Sequence, residues 1–150
     1  MLLSQYKNQI TSHIYEYTSR REKYKIKYGI NSDKYKSLSS NINKKLSNYK
    51  RRYKRIELIE DKLNNWNNNI IDNYGVTLLN IGKKLEHNEL KHFFCKYAME
   101  HNVNGMYIKL FFNLVGDRTI SRARMRITKK IRENKDIKSR YESFKRCIES

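Results

Sequence analysis

From Tyr35 the chain places an apolar or aromatic residue at every seventh position, Tyr35, Ile42, Tyr49, Ile56, Leu63 and Ile70, and this spacing admits few folds. Seven residues are close to two helical turns, so the six side chains line one seam of a helix ~55 Å long. Leu38, Ile59 and Trp66 fill three of the five intervening seam positions, and Lys45 and Arg52 occupy the other two. Upstream, Leu3, Tyr6, Ile10, Ile14, Tyr17, Tyr24 and Tyr28 make a second helical stripe, interrupted at Arg21 and stopped by Gly29. Asn31-Ser32-Asp33 then supplies a cap for the longer helix. Two amphipathic helices joined by a short polar turn predict an antiparallel hairpin, or coiled-coil arms that pair between subunits.

A hairpin turning near Ile30 sets Tyr24 opposite Leu38, Ile10 opposite Tyr53 and Leu3 opposite Ile59. The first helix spans only ~39 Å, so Leu63, Trp66 and Ile70 run past its end. Each of these side chains is worth roughly 1.5–3 kcal/mol when buried, which demands a cover. The candidates are the 76–81 segment with the Phe93/Phe94 helix, or the same surface of a second copy; a homodimer is the expectation. Asn64 to Asn69 are poor helix formers around Trp66, and the long helix is expected to fray or end there.

The chain has no proline and only five glycines, which removes the main helix breakers and the main makers of tight strand turns. An all-α fold follows. Gly75 and Gly82 bracket VTLLNI, a short buried strand or a short helix. Beyond it, Leu90, Phe93, Phe94, Tyr97 and Ala98 predict a helix over 88–101. Asn104 can cap an apolar helix over 104–115, and further helices are expected over 118–133 and 137–148. The domains expected are a basic helical hairpin, 1–73, and a helical domain, 74–150.

Thirty-three Lys and Arg against 15 Asp and Glu leave a formal +18, a charge that calls for an anionic partner. Residues 1–73 carry 16 basic and 7 acidic side chains, 74–115 carry 5 and 3, and 116–150 carry 12 and 5. Two basic ends thus flank a near-neutral middle. Lys, Asn, Ile and Tyr are abundant and all have A/T-rich codons, yet that bias explains neither the 12 arginines nor their clustering. Nucleic acid is the expected partner, DNA before RNA, ahead of an anionic membrane surface or an acidic protein. No run is long and apolar enough for a transmembrane helix, and no membrane partner is expected. Cys95 and Cys147 lack CxxC spacing and a secretory leader, which favours reduced thiols in an intracellular compartment.

The cations concentrate in GDRTISRARMRITKKIR, Gly116 to Arg132. A helix here, capped by Thr119 or Asp117, stacks Ile120, Ala123, Ile127 and Ile131 on one face. Arg118, Arg122, Arg126 and Lys129 fall opposite, flanked by Ser121, Met125 and Arg132. An apolar stripe backed by a row of cations suits a helix laid into a nucleic-acid groove, with Lys129 and Arg132 on phosphates. ISRARMRI resembles the recognition-helix pattern of helix-turn-helix DNA-binding proteins, and the following RENKDIKSRYESF looks like the tail of phage small-terminase and related regulator domains. The resemblance covers about residues 88–146. It implies a three-helix helix-turn-helix unit with a regulatory or genome-packaging role, in which Ser121 and Arg122 meet phosphate and base edges and Arg126 reaches further into the groove.

Lys50, Arg51, Arg52, Lys54 and Arg55 form the densest cation run, interrupted only by Tyr53. They could grip phosphate without reading sequence, serve as a nuclear-localisation signal, or form a solvated helix flank. Six of the 12 tyrosines, Tyr6, Tyr17, Tyr24, Tyr28, Tyr35 and Tyr49, sit on the hairpin stripes and are expected to pack there. His87, His92, Cys95 and His101 lack the paired spacing of a zinc site, and no acid/base pair, phosphate loop or activated nucleophile stands out. No enzyme activity, metal or cofactor is expected. Two rivals to a sequence-reading DNA binder remain: a structural nucleic-acid-binding protein of a nucleoid, virion or ribosome, and a helical scaffold for an acidic protein.

Overall fold

A computed structural model of the chain describes residues 2–75, 85–113 and 119–149, with the backbone alone at 85–88. All regular structure among them is helical: α1 (Leu3–Tyr28), α2 (Asp33–Tyr74), α3 (Leu85–Glu100), α4 (Gly105–Phe111), α5 (Thr119–Glu133) and α6 (Lys135–Glu149). VTLLNI at 76–81 and the Gly116-Asp117-Arg118 approach to α5 lie outside the described residues. None of the described helices is long and apolar enough to cross a membrane. The helices form two compact units, Ser4–Leu58, and Ile59–Ser150 together with Met1–Leu3. Grouped by contacts, the chain thus divides inside α2, ahead of residue 73.

In the Ser4–Leu58 unit, α1 and α2 run antiparallel. Gly29 ends α1 at φ +84°, a left-handed conformation that glycine adopts without a Cβ penalty. The Ser32 hydroxyl then accepts the Tyr35 amide at 3.1 Å as the cap of α2. Cross-helix pairs fix the register: His13 stacks on Tyr49 with centroids 5.2 Å apart, Lys45 lies 5.0 Å above the Tyr17 ring, and Arg21 donates to Asn43 at 2.8 Å. These pairs agree with the register expected from Tyr24 and Leu38.

The seam differs from the expected heptad in one respect. Ile42 and Ile56 are buried and Tyr49 between them is half-buried as expected, but the other two places are taken by buried Leu46 and half-buried Tyr53, each one residue beyond the expected Lys45 and Arg52. Burying either cation would strip it of water without a counter-charge. Both stay exposed and instead cover aromatic faces, Lys45 that of Tyr17 and Arg52 that of Tyr49 at 5.8 Å.

The second unit gathers α3 to α6 around the last turns of α2. Phe93 meets Tyr141 and Phe144 at 5.2 and 5.6 Å, and Phe94 packs on Phe111 and Phe112. Trp66 makes T-shaped contacts with Phe94, Tyr97 and His101, centroids 6.1, 5.1 and 6.0 Å apart. Leu63 and Ile70 are fully buried. The long end of α2 is therefore packed against the chain's own α3 and α6, and the length mismatch no longer argues for a dimer. The same packing carries α2 through its asparagines to Tyr74, past the expected end. Asn67 is buried, and the Asn69 amide donates to the Ile148 carbonyl at 3.0 Å, satisfying an end group of α6.

Asn residues punctuate this unit. Asn102 at φ +64° ends α3, and Asn104 caps α4 by accepting the Met106 amide at 2.9 Å. The expected helix over 104–115 stops at Phe111, followed by Asn113 at φ +53°, a left-handed residue that closes a helix end. Asn134 breaks α5 from α6, its side chain accepting the Asp136 amide at 2.9 Å.

Candidate nucleic-acid interface

α5 is held by one face. Ile120, Ala123 and Ile127 are buried, half-buried Ile131 continues the stripe, and Gly105 at the start of α4 lies against the Ile120 side chain. Ser121, Arg122, Met125, Arg126, Lys129 and Arg132 are exposed, so the structure brings these expected residues together on one helix. Arg118 lies outside the described residues. Met125, 71 % exposed, sits in the middle of this face.

Among the described residues none of Arg122, Arg124, Arg126, Lys129, Lys130 and Arg132 forms an ion pair with a carboxylate, whereas Lys96, Arg140 and Lys145 do. Six cations on a helix with a single acid, Glu133, make a local field that attracts anions.

α3 packs along this helix, and the two sides of their contact differ. On one, an open groove of about 610 Å³ runs between the helices, lined by Lys96 and Met99 from α3 and by Ser121, Arg124, Met125, Thr128, Lys129 and Arg132 from α5. Lys96 is fixed in its wall, paired with Glu100 at 2.6 Å, donating to the Thr128 hydroxyl at 3.3 Å and lying 5.6 Å from the Tyr141 ring. Tyr141 donates to the other oxygen of Glu100 at 3.0 Å. Burial alone would raise the Glu100 pKa, but the hydrogen bonds from Lys96 and Tyr141 and the charges of Lys96 and Lys145 outweigh it, and the carboxyl sits below its usual range. The groove wall is therefore a charged pair already in place. On the other flank lies half-buried His92. Burial lowers its pKa, and the charges of Lys130, Arg126 and Lys91 lower it further, keeping the imidazole neutral at neutral pH.

Lys96, Arg124, Thr128 and Met99 are groove residues that sequence reasoning missed. Arg124 lies only ~40° round the helix from the buried Ile120, so a reading by faces leaves it at the margin. Lys96 stands on α3, about 25 residues earlier, and no pattern within one helix pairs it with α5.

The second predicted cluster lies in the other unit. Lys50, Arg51, Arg52, Lys54 and Arg55 are all exposed on α2 in the Ser4–Leu58 unit, and at ~100° per residue Lys50, Arg51, Lys54 and Arg55 fall within an arc of ~140°, with Arg52 at its margin. Arg51 borders a shallow concavity on α2 with Lys36, Asn43 and Lys44. Elsewhere, Cys95 is buried and its thiol is pushed up to about 12 by desolvation, which leaves it a packing residue. No family model matches the chain, and no curated protein or solved structure matches it either.

Proposed function

We propose that the chain binds duplex DNA through α5, used as the recognition helix of a helix-turn-helix formed by α3, α4 and α5, in a regulatory or genome-packaging role. The observation that carries this reading is the division of α5 into a buried apolar face and an exposed face whose cations have no carboxylate partners among the described residues. A helix with its side chains is about 10–12 Å across and the B-form major groove about 12 Å wide. The deep, narrow major groove of A-form RNA admits no such rod, which places DNA first. With five or six phosphates neutralised, log K would fall with log salt at a slope of about −5, a loss of roughly 10³ in affinity between ~50 and ~200 mM.

A second reading, a structural binder without base readout, is favoured by one observation: a second exposed cation cluster, Lys50, Arg51, Arg52, Lys54 and Arg55, stands on α2 in the Ser4–Leu58 unit, outside the α3–α5 helices. Selection of retained DNA from a random pool, followed by titration at fixed salt, separates the two. For sequence readout, Arg122→Ala or Arg126→Ala costs about 1–3 kcal/mol on the preferred site and relaxes the preference there. Equal losses on random DNA favour the structural binder, for which Arg51→Ala with Arg52→Ala also lowers the salt slope by about 0.9 per lost contact. Unchanged affinity in every α5 variant refutes both uses of this helix.

A further inference from the structure

We infer that the groove between α3 and α5 seats one sugar-phosphate strand of the duplex, with Arg124 and Arg132 holding separate phosphates and Lys96 as the fixed cation of its wall. The inference rests on the DNA reading above and adds the path of the backbone past α5. Among the described residues four cations and no carboxylate line the groove; Lys96 is already paired with Glu100 in its wall, so the net attraction for a polyanion comes from Arg124, Lys129 and Arg132. Lys96 is only 14 % exposed and is held by Glu100 and Thr128, so little side-chain entropy is lost when a phosphate arrives. Arg124 and Arg132 are eight residues apart, ~12 Å along the helix, a spacing that suits two phosphates of one strand. Their planar guanidinium groups match phosphate oxygens two at a time, and Met99 and Met125 between the cations offer apolar surface to the sugars. A strand in this groove leaves Arg122 and Arg126, further round α5, free to turn toward base edges.

The test is the salt dependence of binding to a 20-base-pair duplex, about 50 to 200 mM, by fluorescence anisotropy on the full chain and its variants. Arg124→Ala is expected to flatten the slope of log K by about 0.9, so that the affinity lost over this range shrinks about 3.5-fold, and Arg124→Ala with Arg132→Ala by about 1.8. Lys130→Ala, on the flank beside His92, is the control and keeps the parental slope. Arg124 is exposed, and an unchanged melting temperature shows that its variant is folded. A parent that binds while Arg124→Ala keeps the parental slope overturns the groove alone. Equal flattening by Lys130→Ala overturns it too, because charge would then count regardless of place. A parent that binds no duplex at ~50 mM salt overturns the DNA reading, and the groove with it.

Discussion

Replacing Trp66 tests how the long helix is covered. Its indole, the only one in the chain, makes three edge-on contacts, with Phe94, Tyr97 and His101. Aromatic pairs contribute about 0.5–1.5 kcal/mol each beyond area burial, and truncating a fully buried Trp costs about 3–5 kcal/mol. Trp66 is only half-buried, so Trp66→Ala should destabilise the Ile59–Ser150 unit by about 2–4 kcal/mol, lowering its melting temperature by about 10–20 °C. Trp66→Phe keeps a ring in the site and should lose less than about 1.5 kcal/mol. The assay is thermal and urea unfolding followed by far-UV circular dichroism, which does not depend on the indole. In the parent chain, Trp66 fluorescence should be blue-shifted before unfolding. Because the cover comes from the same chain, the melting temperature should not move when concentration rises from about 2 to 100 μM, as mass action would require of a dimer. A loss under ~0.5 kcal/mol on Trp66→Ala, or a melting temperature that climbs with concentration, refutes this account.

Two further outcomes follow from the packing and the charges. Leu46→Ala should cost about 2–5 kcal/mol and Lys45→Ala less than about 1 kcal/mol, measured by urea denaturation; the reverse order would restore the heptad that puts Lys45 in the seam. The unfolded chain takes up a proton on His92 near the ordinary value of 6.5, and the folded chain does so only at lower pH. Stability from this group is therefore full above 6.5 and falls as pH drops below it toward the folded value. His92→Gln should flatten that part of the pH profile of the melting temperature, and a profile identical to the parent's would show that His92 does not titrate there.

Much of the fold was legible because it depends on local chemistry. The all-α class follows from the missing proline and the scarce glycine. The ends of the hairpin follow from Gly29 and Ser32, and its register from stripes that must face each other to leave water. The apolar and cationic faces of α5 were equally plain, since 100° per residue sorts Ile120 from Arg122 without knowledge of any partner.

Tertiary structure decided what one helix cannot. Whether Lys45 or Leu46 enters the seam depends on what stands across from it, and a desolvated ammonium loses to an apolar neighbour one residue on. The asparagine run from 64 to 69 argues against a helix by propensity. It stays helical because Asn69 reaches Ile148 and Trp66 reaches Tyr97, contacts with residues some 30 to 80 positions away. For the same reason the sequence pointed to a second copy as the cover over Leu63 and Ile70, whereas the chain's own helices pack on this end of α2. The groove beside α5 is the clearest case. Lys96 and Arg124 line it together only because α3 packs along α5, and no spacing within either helix records that meeting.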